Sequence, residues 1–269
     1  MKKKMKNGRS KAISLFVISA LFLIVVIVYG VNKLFSREYY QIVPKAQEAV
    51  GTVKGYEVVY EKKGWLQVQG TSINLPVLYQ AEKNYPVELQ GYSWLTDYSP
   101  GFHNHFEIMG HNIFNLSSSP EMNSADFLRF EQLMAFVYYD FAKDNKYIQF
   151  SYEGKEYIYK IFMVGFIPTA DTILLPPGLD YSQEDMEEYI DRVKSYSIYD
   201  YRVDVSKNDK ILSLGTCTRF YGNNNDWEFF VIGRLVRDGE RIDNYSVSKN
   251  DRYVKVEEKL KGSEENEEI

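Results

Sequence analysis

Between Ala12 and Val31 the chain reads AISLFVISALFLIVVIVYGV without a single charge, and no water-soluble globule can carry such a run on its surface. About twenty apolar residues at 1.5 Å rise each match a hydrocarbon core roughly 30 Å thick. The preceding residues, MKKKMKNGRSK, hold six Lys/Arg and no acid. A cleavable signal peptide would have a shorter apolar region, about 7 to 15 residues, followed by small residues. Asn32, Lys33, Leu34 and Phe35 follow instead, which favours an uncleaved anchor. The basic flank keeps the amino terminus in the cytoplasm and sends residue 32 onward outside. The expected layout is a basic flank at 1–11, one transmembrane helix at 12–31, a stalk with short helices at 32–63, a globular domain at 64–240 and a charged, disordered tail at 241–269. That makes a single-pass protein of the cell membrane with an extracytoplasmic domain.

The 269 residues are 45% apolar and 16% aromatic, ample for a core, and 23 tyrosines with 16 phenylalanines against eight prolines favour strands. Without the basic flank, 26 basic residues face 37 acidic ones, a formal balance of −11. No nucleic-acid partner is expected for so acidic a domain.

Period-2 alternation and turn residues set out the strands. Trp65 to Val77 reads as a hairpin about Gly70-Thr71, with Pro76 marking its second strand as an edge or a bulge. Phe106 to Met109 is a short strand ending at Gly110-His111-Asn112. Ser124 to Asp140 reads as an N-capped amphipathic helix, and residues 146–151 and 156–166 as strands about Glu153-Gly154. SQEDMEEYIDRVKSY, from Ser182, is a helix capped by that serine. Its acidic cluster reads as a solvated face rather than a calcium site. Histidines 103, 105 and 111 with only Asp97 and Glu107 nearby do not make a closed zinc site, so no metal and no cofactor is expected.

Lys210 to Val236, KILSLGTCTRFYGNNNDWEFFVIGRLV, reads as two buried strands about a polar turn, with the only cysteine where the first strand ends. A lone cysteine is by habit a small core hydrophobe. At a strand end, in an exported chain with no second cysteine to pair with, a reactive thiol is the better reading. Only the thiolate attacks, so Cys217 needs a base or a cation beside it. His111, at the end of another strand, is the best placed of the three histidines.

These residues resemble the sortases, membrane-anchored cysteine transpeptidases of Gram-positive bacteria. Trp65-Leu66-Gln67-Val68-Gln69-Gly70-Thr71 with Pro76-Val77 is similar to the family's W-x-x-V-x-G-T…P-V hairpin. Met109-Gly110-His111-Asn112 is similar to its Y-G-H-N, and Leu214-Gly215-Thr216-Cys217 to its L-S-T-C. The helix before the cysteine strand points to class B. The resemblance, over roughly residues 60 to 236, implies a mainly β fold: an eight-stranded barrel with flanking helices, preceded by the transmembrane helix. It implies that Cys217 attacks a carbonyl within a C-terminal sorting motif of a secreted protein and forms a thioacyl enzyme. His111 would protonate the leaving amine, then deprotonate the incoming amine of a peptidoglycan precursor or a pilin.

One position departs from the pattern. Where sortases carry an arginine at the start of the strand after the cysteine, this chain has Glu228, and a carboxylate there opposes thiolate and oxyanion alike. Arg219, on the Cys217 face if the strand continues, is one candidate replacement. Arg234 shares a face with Glu228 but stands roughly 20 Å from it. A different setting of the turn would also account for the mismatch, as would a weak or inactive enzyme. The alternative function is accordingly a sortase-like scaffold or binding domain at the cell surface. A papain-like protease expects the cysteine ahead of the histidine, the reverse of the order here.

Overall fold

Stretches in which β-branched and aromatic residues alternate with polar ones form the strands, and eight of them close on themselves. The computed structural model describes residues 49–53, 56–79, 93–112, 130–171, 180–222, 226–242 and 245–267, all in the unit Gln47–Ile269. Eleven strands follow in chain order: β1 (Ala49–Val53), β2 (Tyr56–Val68), β3 (Asn74–Tyr79), β4 (Ser93–Leu95), β5 (His105–Gly110), β6 (Tyr147–Tyr152), β7 (Lys155–Pro168), β8 (Tyr199–Tyr201), β9 (Ile211–Cys217), β10 (Trp227–Leu235) and β11 (Val247–Lys249). The main sheet runs β1-β2-β3-β4-β5-β9-β10-β7-β6, and β6 also pairs with β2. That last pairing closes β2 through β6 into the expected eight-stranded barrel, with β1 paired to β2 outside the ring. Its parallel contacts are β3–β4 and β5–β9.

Inside the ring a single apolar cluster draws on every barrel strand, with Leu66, Val77, Leu95, Ile108, Phe150, Val164, Leu214 and Phe229 among its members. A second cluster lies on the outer surface beneath helix α2 (Gln183–Tyr196). That helix is set by its sequence: the Ser182 hydroxyl accepts from the Asp185 amide at 3.1 Å, and Met186, Tyr189, Ile190 and Val193 recur at helical spacing on the buried face. They pack on Phe162, Met163 and Ile167 of β7 and on Phe230 and Ile232 of β10. Each such side chain stabilises by about 2 kcal/mol.

Several expectations need correcting. No short helix occurs in the described part of the stalk: residues 49–53 and 56–63 are the antiparallel pair β1–β2, and β2 runs unbroken through the boundary expected at 63/64. Tyr56, Val58 and Tyr60 carry strand periodicity that the neighbouring charges obscure. The tail is not disordered between 245 and 267, where β11 pairs with β8 and helix α3 (Asp251–Glu267) follows. Val247, Tyr253, Val256 and Leu260 anchor it in the core. Pro76 is not on an edge strand, since β3 pairs on both sides; the parallel pairing with β4 begins only at Val77, opposite Ser93, and the bulge lies across the ladder at Lys62/Gly64. In place of one amphipathic helix at 124–140 there is a 3₁₀ helix, Phe130–Val137, buried all round, then α1 (Tyr139–Asp144) after an extended Tyr138. Ser124 and the apolar run 12–31, expected to be a transmembrane helix, lie outside the described residues. Among the described residues no helix is long and apolar enough to cross a membrane.

Candidate active site

Strand alternation sends Leu212 and Leu214 of β9 into the barrel, so Ser213, Gly215 and Cys217 face outward, on the side where α2 lies. Ser213 marks that face, its hydroxyl 2.6 Å from the Tyr189 hydroxyl of α2 and 3.1 Å from His105 Nε2. Past Cys217 the strand stops. The Thr218 hydroxyl accepts from the Phe220 amide at 3.1 Å, the Gly222 amide donates to the Arg219 carbonyl at 3.1 Å, and the buried Phe220 ring stacks on Phe166 at 4.7 Å. Cys217 thus stands half-buried at the barrel rim, its thiol free.

The partner strand supplies the histidine. In the parallel pair β5–β9, Gly110 stands opposite Thr216, whose hydroxyl donates to the Gly110 carbonyl at 2.7 Å. The next residue on each strand is then His111 on one side and Cys217 on the other. Asn112 secures the join: its side-chain amide donates to the Cys217 carbonyl at 3.1 Å. Two motif glycines allow this approach. A β-carbon on Gly110 would lie 2.4 Å from the Phe130 ring, and one on Gly215 would lie 2.4 Å from Met109 Sδ and 2.7 Å from the Phe230 ring. Met109 and Phe230 therefore meet over Gly215 and form an apolar floor next to Cys217.

Glu228 is the direct antiparallel partner of Cys217 on β10, with Ile167 opposite it on β7. Directly opposed residues hold their β-carbons about 5 Å apart on one face. Burial pushes the Cys217 thiol above its ordinary value, and the Glu228 carboxylate pushes it further. Burial likewise raises the Glu228 carboxyl. The thiol is thereby held toward its protonated form, and an attack by sulfur needs a base to take that proton.

Of the residues singled out from sequence, Cys217 and His111 come to one rim and Glu228 joins them. Arg219 does not share their face through strand alternation, because β9 ends at Cys217; its side chain is exposed. Arg234 is 1% exposed and held by Glu240 and by the Asp204 carbonyl, structural rather than catalytic in its contacts. His103 is engaged by Asp180, Nδ1 to carboxylate 2.6 Å, which ties the approach to β5 to the start of α2. His105 lies under α2, stacked on Tyr181 at 5.0 Å. Sequence reasoning misses Asn112 and the Ser213–Tyr189 contact. The first sits inside the G-H-N motif, where its place beside His111 is a signal; the second joins residues 24 apart on different elements and carries no local signal.

A closed eight-stranded barrel with cysteine and histidine at the ends of a parallel strand pair is the sortase fold. More narrowly, the chain is similar to the class B sortases. Sortase B of Staphylococcus aureus (strain NCTC 8325 / PS 47) is 22% identical to it over 178 residues, 65% of this chain and 70% of the relative. The solved sortase B of Clostridium perfringens superposes with a TM-score of 0.54 at 21% identity, covering 65% of this chain and 94% of that one. A Staphylococcus aureus sortase B–substrate complex gives 0.51 at 19% identity, over 66% and 80%. No protein-family model matches the chain.

Proposed function

We propose that the chain is a membrane-anchored cysteine transpeptidase that cleaves a C-terminal sorting motif of secreted proteins and transfers the acyl group to an amine of a peptidoglycan precursor or a pilin. The observation that carries this reading is the parallel register that sets His111 beside Cys217, with Asn112 bonded to the Cys217 carbonyl. His111 takes the thiol proton as Cys217 attacks the carbonyl, the carbon–nitrogen bond breaks as His111 passes that proton to the departing amine, and a thioester remains on the sulfur. The incoming amine gives its proton to His111 and takes the acyl group. Splitting one amide exchange into two acyl transfers lowers each barrier. That Staphylococcus aureus sortase B has been solved as a substrate complex supports a substrate-binding role for the shared fold. The uncharged run 12–31 behind its basic flank supports an extracytoplasmic site for the reaction.

Glu228 opposite the thiol favours a second reading, a sortase-like scaffold without turnover. Incubation with a library of sorting peptides followed by mass spectrometry separates the two. The transpeptidase yields a covalent adduct on Cys217 that Cys217→Ala abolishes and His111→Ala reduces by about 100-fold, the usual share of a general acid–base. No adduct with any peptide, together with a thiol that alkylates like free cysteine, leaves the scaffold.

A further inference from the structure

We propose that Glu228 works in its neutral form as the hydrogen-bond donor to the oxyanion of acyl transfer at Cys217, in the place where sortases carry an arginine. This rests on the reading of Cys217 as an acyl-transfer nucleophile. The two residues are register partners, their side chains leave β9 and β10 on the same outward face, and a glutamate is long enough to pass the sulfur and reach an oxygen on its substrate.

The surroundings favour a proton on Glu228. Its neighbour on β7 is the buried, uncharged Ile167, and two residues along its own strand is Phe230. Among the described residues, the titratable groups that register and sequence bring nearest it are Cys217 on β9, His111 on the far side of β9, and the exposed Arg219 and Asp226. On α2, Arg192 is held by Asp171 at 2.6 Å. Burial is what raises the Glu228 carboxyl. When ionised it opposes the sulfur; when neutral it offers an O–H instead.

The chemistry balances without a cofactor. As the sulfur–carbon bond forms, the carbonyl π electrons move to oxygen, and the Glu228 O–H donates a hydrogen bond to that oxygen while keeping its proton. On collapse the carbon–nitrogen bond breaks and the amine leaves with the proton from His111. Glu228 is the same before and after each half-reaction. Its usefulness falls as pH rises through its own pKa, since the ionised form has no proton to offer and repels the developing charge.

The test compares two reactions of Cys217 in the full chain. Alkylation by iodoacetamide reports the thiolate and builds no oxyanion; acetylation by p-nitrophenyl acetate needs the thiolate and builds one. The ratio of the two rates, followed over roughly pH 4 to 9, isolates the donor. In the wild type this ratio should fall about 100-fold from the acid to the alkaline side. Glu228→Ala should lie at the low value throughout, and Glu228→Gln, which keeps an N–H donor but does not titrate, should hold level with pH. A wild-type ratio that does not change with pH, or a Glu228→Ala ratio equal to wild type, overturns the proposal and leaves the transpeptidase reading standing. A wild-type thiol that alkylates but is never acetylated overturns both.

Discussion

Glu228 costs the fold stability wherever it is ionised, because burial favours its neutral form. The folded state binds that proton more tightly than the unfolded chain, so the contribution is intact below the ordinary carboxyl pKa and declines as pH rises through the raised folded value. Glu228→Gln should therefore be more stable than wild type at neutral pH and indistinguishable from it under acid conditions. Urea unfolding at the two pH values measures this, and equal stability at neutral pH would contradict it. Gly215 poses the complementary steric case. Gly215→Ala sets a methyl against Met109 and Phe230 at 2.4 and 2.7 Å and should cost about 1–3 kcal/mol. Thiol alkylation of the same variant should change too, since the displaced floor adjoins Cys217.

At the scale of elements, α3 shows what packing adds to an unpromising composition. Tyr253, Val256 and Leu260 form a narrow stripe among lysines and glutamates, and the Tyr139 hydroxyl donates to the Val247 carbonyl at 3.2 Å just before the helix. Leu260→Ala should lower stability by about 2 kcal/mol in thermal or denaturant unfolding, whereas a disordered tail would register nothing. That stripe escapes a reading by charge content because so few positions carry it. The hairpins about Gly70 and Gly154 and the Ser182 cap are legible, since a few consecutive residues decide each of them. The 3₁₀ helix Phe130–Val137 misleads in the other direction: Glu131 and Gln132 look like a wet face, yet both are buried, and the Gln132 side-chain Oε1 accepts from the Ser72 amide at 2.5 Å. Juxtaposition of Cys217 and His111 cannot be read from either strand alone. It follows from the parallel β5–β9 pairing of segments a hundred residues apart, which only the motif resemblance supplies. Arg219 is a candidate only on a strand that continues, and β9 ends at Cys217, where the sequence already sets the end of the strand.

For the whole molecule, acid is the expected weakness. Glu240 is bonded by Arg234 and by Lys160, whose ammonium lies 2.7 Å away, and these cations hold its carboxyl well below the usual range. Burial works to raise Asp209, but Arg237 at 2.6 Å outweighs it and its pKa is lowered as well. Depressed carboxyls contribute stability that is complete above their unfolded pKa and is lost as pH falls toward the folded values. The midpoint in urea should therefore drop steeply below about pH 4. Glu240→Gln should remove part of that slope and cost about 3 kcal/mol at neutral pH, since it leaves Arg234 and Lys160 buried without their counter-charge.

The pairing of β6 with β2 has a mechanical consequence for the rim. In an open sheet two neighbouring strands can slide past each other while the rest stands still. In a ring, a shift between β5 and β9 must be absorbed by the other ladders, and a single-residue step would turn every inward side chain outward. Sulfur and imidazole are thereby set at their separation by the circumference as a whole, and a substitution on the far wall of the barrel can reach the chemistry without touching it.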